Sequence, residues 1–305
     1  MVMAFVVGII LFHVFIAHGL HVGVYETDNE DSDIFQPATH LKVISSFDSP
    51  NCSEPVCTGP LSNIYCSGKI LHASWLFGLQ RSCPGDMMRN SPAFILKEFS
   101  KLKYPLKRDE FKAFCFENFA SVPYLKYAEL DDWSESPPNV VLLKDTKFWK
   151  FVNELNQIWK NLGREFIPKV HELPHLFPIV PVLNRFVVPG GFFQIYFYWD
   201  SYWIMKGLLF SNMKSTVLGM LENFASIIDR HGFIPNSGAI QLSRRSQPPL
   251  FTQMVADYIS VVENKTTLSR MVTYVERELM WWQLNRNVSV KSASGETYLM
   301  YQYRV

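Results

Sequence analysis

Residues 189–203 read Pro189-Gly190-Gly191-Phe192-Phe193-Gln194-Ile195-Tyr196-Phe197-Tyr198-Trp199-Asp200-Ser201-Tyr202-Trp203. Two glycines make a permissive turn. Eight of the twelve residues that follow are aromatic, and Asp200 is the acid among them. Such a segment suits a pocket wall. Flat rings offer an apolar face to the C–H side of a pyranose. The Asp200 carboxylate can accept hydroxyl protons in charge-assisted hydrogen bonds, which are stronger than neutral ones. The same residues also suit a core cluster in which Asp200 caps the following helix, and the segment alone leaves both readings open.

His171-Glu172-Leu173-Pro174-His175 matches the H-E-x-x-H zinc pattern. That pattern works only on a helix, where two imidazoles four residues apart share a face. Pro174 lacks the helical N–H and clashes with the preceding turn, and Pro168 and Pro178 flank the segment. The match is therefore read as chance in a proline-rich loop, with no metal bound. Five cysteines, Cys52, Cys57, Cys66, Cys83 and Cys115, form no C-x-x-C pair. They suit one or two disulfides better than zinc. No cofactor is expected.

A second stretch follows at 234–249, Ile234-Pro235-Asn236 and then Arg245-Ser246-Gln247-Pro248-Pro249. Pro189-Gly190-Gly191 with Tyr198-Trp199-Asp200-Ser201-Tyr202-Trp203 resembles the first signature of the α,α-trehalase family, P-G-G-R-F…W-D-S-Y. The second stretch resembles that family's I-P-N-G-G-R…R-S-Q-P-P at the matching distance. The similarity runs from about residue 145 to 305 and is thin before that. It implies an inverting hydrolysis of α,α-trehalose to two glucoses on an all-α toroid of six helical hairpins. It also implies that Trp199 and Asp200 contact the sugar, that Asn236 hydrogen-bonds it, and that Arg245, Ser246 and Gln247 supply further donors and acceptors. Trehalose or a related disaccharide is the expected partner.

The departures matter as much. Phe192 stands where the family has a sugar-binding Arg, Ile195 where it has Glu, and Phe197 where it has Tyr. Ser237-Gly238-Ala239 replaces Gly-Gly-Arg, so that Ala239 loses a second Arg. Each deleted charged hydrogen bond is worth about 1.5–3 kcal/mol. An inverting glycosidase needs two carboxyl groups roughly 6.5–9.5 Å apart. The resemblance implies that this acid and base lie beyond Val305, so no catalytic residue is assigned within the chain. Only about five of the toroid's helices are expected here, an incomplete ring. The chain then reads as a trehalase-type hydrolase that is inactive as a truncated piece. The alternative is a non-catalytic sugar-binding remnant.

The elements that must position these residues follow from periodicity. Phe148, Trp149, Val152, Leu155, Ile158, Trp159 and Leu162 make one apolar stripe between an N-cap at Asp145 and a C-terminal Gly163. Similar stripes run over 215–232, from Pro248-Pro249 to Val262, and from a cap at Thr266 or Thr267 through Leu268, Met271, Val275, Leu279 and Trp282. Residues 201–210 are helical in type. A short hairpin is expected near 288–301, and the proline-rich 174–190 is the long connection.

The 305 residues are 48% hydrophobic, 15% aromatic and 19% charged, with a net charge of +1, which excludes disorder and the basic footprint of a nucleic-acid binder. Residues 1–19 read as a signal peptide, although their lack of Lys and Arg leaves a short membrane anchor as the rival. Sequons at Asn51, Asn264 and Asn287 fit an exported glycoprotein. Secretion or display at the cell surface is expected. Residues 20–90 read as an irregular cysteine-containing leader, and 91–305 as the partial toroid.

Overall fold

The structure, a computed structural model, describes residues 61–79, 82–243 and 248–302. The signal segment 1–19, Asn51, Cys52, Cys57 and the Arg245-Ser246-Gln247 turn lie outside the described residues.

The amphipathic stripes become helices. Asp145 accepts a hydrogen bond from Phe148 N at 2.8 Å and so caps the helix Thr146–Leu162. The expected apolar stripe is only half covered. Trp149 is 39% exposed and Ile158 42%, and the buried residue of this helix is Asn156. Gly163 ends the helix in extended backbone, φ −64° and ψ 133°, not in the left-handed turn its type suggested. Glycine is required for another reason: a Cβ there would collide with the Ala128 carbonyl.

Four further helices carry the main core. They span Tyr198–Phe210, Lys214–His231, Phe251–Val262 and Lys265–Asn285. Among the described residues, α-helices in chain order are α1 (Lys69–Leu76), α2 (Pro92–Ser100), α3 (Arg108–Asn118), α4 (Pro138–Val141), α5 (Thr146–Leu162) and α6 (Pro168–Glu172), followed by those four as α7 to α10. Met205 and Leu208 of α7 are buried with Leu221, Phe224 and Ile228 of α8 and with Phe251, Met254 and Tyr258 of α9. Gly232, at φ 81°, closes α8 in the left-handed conformation that glycine tolerates, its N–H bonded to Ile228 O.

In α10 two expectations are corrected. The cap is Asn264, whose side chain accepts from Thr267 N at 3.0 Å, rather than Thr266 or Thr267. Leu268 and Leu279 are 38% and 46% exposed, while Thr267, Met271, Glu278 and Trp282 are buried. The inner face is centred on Met271 and Glu278, because Glu278 reaches the Tyr198 hydroxyl of α7.

The class is all-α, trimmed by short antiparallel strands. A three-stranded sheet joins β3 (Leu125–Tyr127), β4 (Gly163–Phe166) and β5 (Phe186–Val187), with Leu125 opposite Phe166 and Arg164 opposite Phe186. β1 (Met87–Met88) pairs with β2 (Phe119–Ala120). The expected hairpin is present as β6 (Asn287–Lys291) and β7 (Thr297–Tyr301), turning at Gly295 with φ 85°. The described part of the leader is ordered. It holds a short π-helical turn, Ser62–Cys66, and then α1, and the disulfide Cys83–Cys115 fastens it to α3. Phe99, Phe111, Phe114 and Phe119 pack edge to face and stacked around that junction.

Close helix contact holds α7 to α5. At Gly207 a Cβ would meet the Trp159 ring at 2.7 Å, and Trp159 Nε1 donates to Ser211 Oγ at 3.2 Å. Both contacts hold the Trp159 ring against α7. Gly207→Val is expected to destabilise the protein by about 1–3 kcal/mol through overpacking. A urea denaturation midpoint unchanged from wild type would contradict this packing.

Candidate functional site

The two signature segments meet through backbone pairing. Val180 N donates to Gly238 O at 2.7 Å and Ile240 N to Pro178 O at 2.9 Å. On the other side Gly238 N donates to Tyr196 O at 3.2 Å and Tyr198 N to Asn236 O at 2.9 Å. Residues 236–240 therefore lie between 178–180 and 196–198. Tyr196 Oη adds a bond to Val180 O at 2.8 Å. The long proline-rich connection is thus one wall of the arrangement.

The aromatic run divides by exposure. Tyr196 and Tyr198 are core residues, 3% and 1% exposed, whereas Phe192, Phe193 and Trp199 face solvent. Phe192, Phe193 and Phe197 pack edge to face, with centroids 5.9 and 5.3 Å apart. Upstream, Gly190 and Gly191 take φ 94° and 57°, and reciprocal backbone bonds between Gly190 and Phe193 close the turn. Both glycines are needed for that conformation.

Asp200 is not the helix cap. Phe197 occupies the cap position, and Asp200 sits in the first turn of α7, half-exposed next to Trp199. A carboxylate there is favoured by the helix dipole. Asn236 is 2% exposed, and its Oδ1 is buried without a hydrogen-bond partner among the described residues. A buried unpaired acceptor costs roughly 1–3 kcal/mol. Trp199, Asp200 and Asn236 are thus drawn into one neighbourhood, because residue 236 bonds to residue 198. Arg245, Ser246 and Gln247 lie outside the described residues. Of the altered positions, Phe192 is 91% exposed, Ile195 and Ala239 are 6% exposed each, and Phe197 is half-buried.

The H-E-x-x-H residues do not share a helix. α6 ends at Glu172, Leu173 turns away at φ −129° and ψ 51°, and His175 belongs to a separate 3-10 turn, Pro174–Leu176. Among the described residues no group of three His, Cys, Asp or Glu side chains is gathered as a metal site.

The sequence matches the trehalase family model over residues 83–305. The chain belongs to the trehalase family. It is 35% identical to human trehalase over 256 residues, 80% of this chain and 43% of that protein. It is 34% identical to the trehalase of Tenebrio molitor over 258 residues, 82% of this chain and 46% of that protein. With the trehalase of Pimpla hypochondriaca it shares 36% over 251 residues, 80% of this chain and 43% of that protein. The chain thus spans less than half the length of these relatives. Family similarity begins at residue 83, well before the 145 suggested by the motifs, and so includes both cysteines of the Cys83–Cys115 disulfide.

Two residues that sequence reasoning missed hold this trehalase segment in place. Arg164 donates from Nη2 to Gln194 Oε1 at 2.6 Å, and Gln194 Nε2 donates to Gly191 O, which fixes the Pro-Gly-Gly turn. Glu278, 1% exposed, accepts from the Tyr198 hydroxyl at 2.6 Å, and that hydroxyl accepts from Phe251 N at 2.9 Å. No spacing signal points to either pair, since both partners come from distant elements.

Burial pushes the Glu278 carboxyl up to about 7, partly offset by the Tyr198 hydrogen bond. The folded state therefore holds this proton more tightly than the unfolded chain, whose glutamates titrate near 4.3. The resulting stabilisation is complete at a pH below about 4.3 and is lost as pH rises through about 7. His231, pushed down to about 4 by burial and then by Arg230, acts in the opposite sense as pH falls below 6.5. Because wild type and Glu278→Gln share His231, their difference isolates Glu278. The Gln variant is expected to gain on wild type by a few kcal/mol between pH 4 and 8, since each tenfold change in proton affinity amounts to about 1.4 kcal/mol. Parallel stability curves in urea denaturation would exclude the buried acid as their source.

Proposed function

We propose that this site derives from an inverting trehalose hydrolase and binds the sugar without turning it over. Relatives named trehalase supply the substrate class. Trp199, Asp200 and Asn236 would contact a glucose ring, and Arg245, Ser246 and Gln247 would complete the set. The accessible ring of Trp199 beside the half-exposed Asp200 at the start of α7 carries this reading, since a sugar presents both C–H faces and hydroxyl donors. Trp199, 41% exposed, would give the ring an apolar face beside the Asp200 carboxylate.

Binding without turnover is favoured by what stands at the altered positions. A Cβ on Gly238 would lie 2.8 Å from Ile195 Cδ1, so Ile195 packs directly on the 237–239 segment. Where the family resemblance implies a Glu and an Arg, this chain has Ile195 and Ala239, both buried. Phe192 replaces a third charge, at an exposed position. Export is part of this proposal, and the Cys83–Cys115 disulfide supports it because such bonds persist in oxidising compartments.

Calorimetry with trehalose is expected to give weak binding by wild type, reduced about tenfold or more in Asp200→Asn, with no glucose released. Equal binding by the two proteins would contradict the site, and sustained glucose release would contradict the loss of turnover. Phe192→Arg is expected to tighten trehalose binding, since a restored charged hydrogen bond is worth about 1.5–3 kcal/mol. At 91% exposure the change leaves the fold intact. Unchanged affinity would remove position 192 from the site.

A further inference from the structure

A cleft of about 280 Å³ opens beside β3, lined among others by Asp86, Tyr124, Tyr127, Arg164 and Gln194. None of these residues belongs to the Trp199-Asp200-Asn236 set. Gln194 links the two places by tying Arg164 to the Pro-Gly-Gly turn.

Arg164 is the unusual member. It is 5% exposed, yet among the described residues its guanidinium meets no carboxylate. Nη1 donates to the carbonyls of Asn161 and Gly163 at 2.8 Å each, and Nη2 to Gln194 Oε1. The guanidinium also lies over the Tyr127 ring, 3.9 Å from its centroid. Five N–H donors are available on this side chain, so donor capacity remains at the cleft wall. Buried cations are ordinarily paired. Asp86 supplies the opposite charge in the same cleft, accepting from the Ser121 hydroxyl at 2.8 Å. Lys126 is already ion-paired with Glu165 at 2.8 Å. Burial and the nearby Asp86 push the Tyr124 phenol up, so it stays protonated as a donor.

This mixture selects a ligand class. A small anion would gain from Arg164 and be repelled by Asp86, and a small cation would meet the reverse. Neutral hydroxyl groups suit both, since each can donate to the carboxylate and accept from the guanidinium. Pro123, Leu125 and the two tyrosine rings give such a ring apolar walls. The volume falls just below the roughly 300–1,000 Å³ of typical small-molecule sites, which fits one hexose better than two. We propose that this cleft is a second carbohydrate site, which takes a single hexose ring independently of the Trp199-Asp200-Asn236 site.

The test is glucose binding to the full chain, followed by saturation-transfer NMR and calorimetry in wild type, Asp86→Asn, Tyr127→Ala and Asp200→Asn. Asp86→Asn keeps side-chain volume, so it reports on the cleft even if Tyr127→Ala fails to fold. The expected result is a glucose-binding component weakened at least about fivefold by Asp86→Asn and Tyr127→Ala, and retained in Asp200→Asn. If the trehalose site itself is misassigned, Asp200→Asn loses nothing while the Asp86 and Tyr127 effects persist. The proposal is overturned if Asp86→Asn binds glucose as wild type does, or if Asp200→Asn alone abolishes all glucose binding. It is also overturned if sulfate occupies the cleft, more tightly in Asp86→Asn, while glucose does not.

Discussion

The Tyr198 hydroxyl is the point on which the architecture depends. It donates to Glu278 of α10 and accepts from Phe251 N at the start of α9, while its own backbone N–H bonds to Asn236 O. One buried residue thus ties three helices and the second signature loop together. The neighbouring Trp199 and Asp200 face outward because Tyr198 faces inward. Had the phenol no partner, burying it would cost a few kcal/mol. Glu278 removes that cost and introduces its own, a carboxyl that prefers to keep its proton. Polar groups buried in this way are stabilising only when each is satisfied.

That constraint explains which parts of the molecule were legible in the sequence. Stripes with a period near 3.6 marked helices α5 and α7 to α10, and local chemistry fixed the cap at Asp145 and the left-handed stop at Gly232. What failed was non-local. In α10 a stripe of apolar residues suggested an inner face through Leu268 and Leu279, and the true face runs through a glutamate. Nothing local distinguishes Glu278 from the exposed Glu276, because its partner is eighty residues away. Gly163 was read by type as a helix stop, and its role is to let the Ala128 carbonyl approach. Arg164 follows immediately, with a function set by Gln194 thirty residues on.

The candidate site was legible in its parts and less so in its arrangement. The aromatic segment predicted a wall of rings, and two of its eight rings, Tyr196 and Tyr198, are core instead. Alternation decides which: residues 192, 193 and 199 are outside, and 196 and 198 are inside. Backbone pairing of 178–180 with 236–240, and of these with 196–198, brought Asn236 beside α7. The sequence offered only the matching intervening length as a hint of it. A shared family explains why two stretches so far apart keep their distance, and the hydrogen bonds explain why that distance is required.

Exposure also orders the changes at the altered positions. At an exposed site such as 192, exchanging a charged side chain for a ring disturbs nothing beneath it, so it can happen alone. Positions 195 and 239 are both buried, and a charge standing alone at either would be costly. Breaking a buried pair by removing one partner typically costs about 3–5 kcal/mol, whereas replacing both by apolar groups is often neutral or stabilising. Ile195 and Ala239 leave no charge to satisfy there. They keep the 195–198 and 236–239 segments paired, and with them Tyr198, Asn236 and the outward-facing Trp199 and Asp200. Apolar packing at 195 and 239 and the outward display of Trp199 and Asp200 are thus two sides of one backbone arrangement.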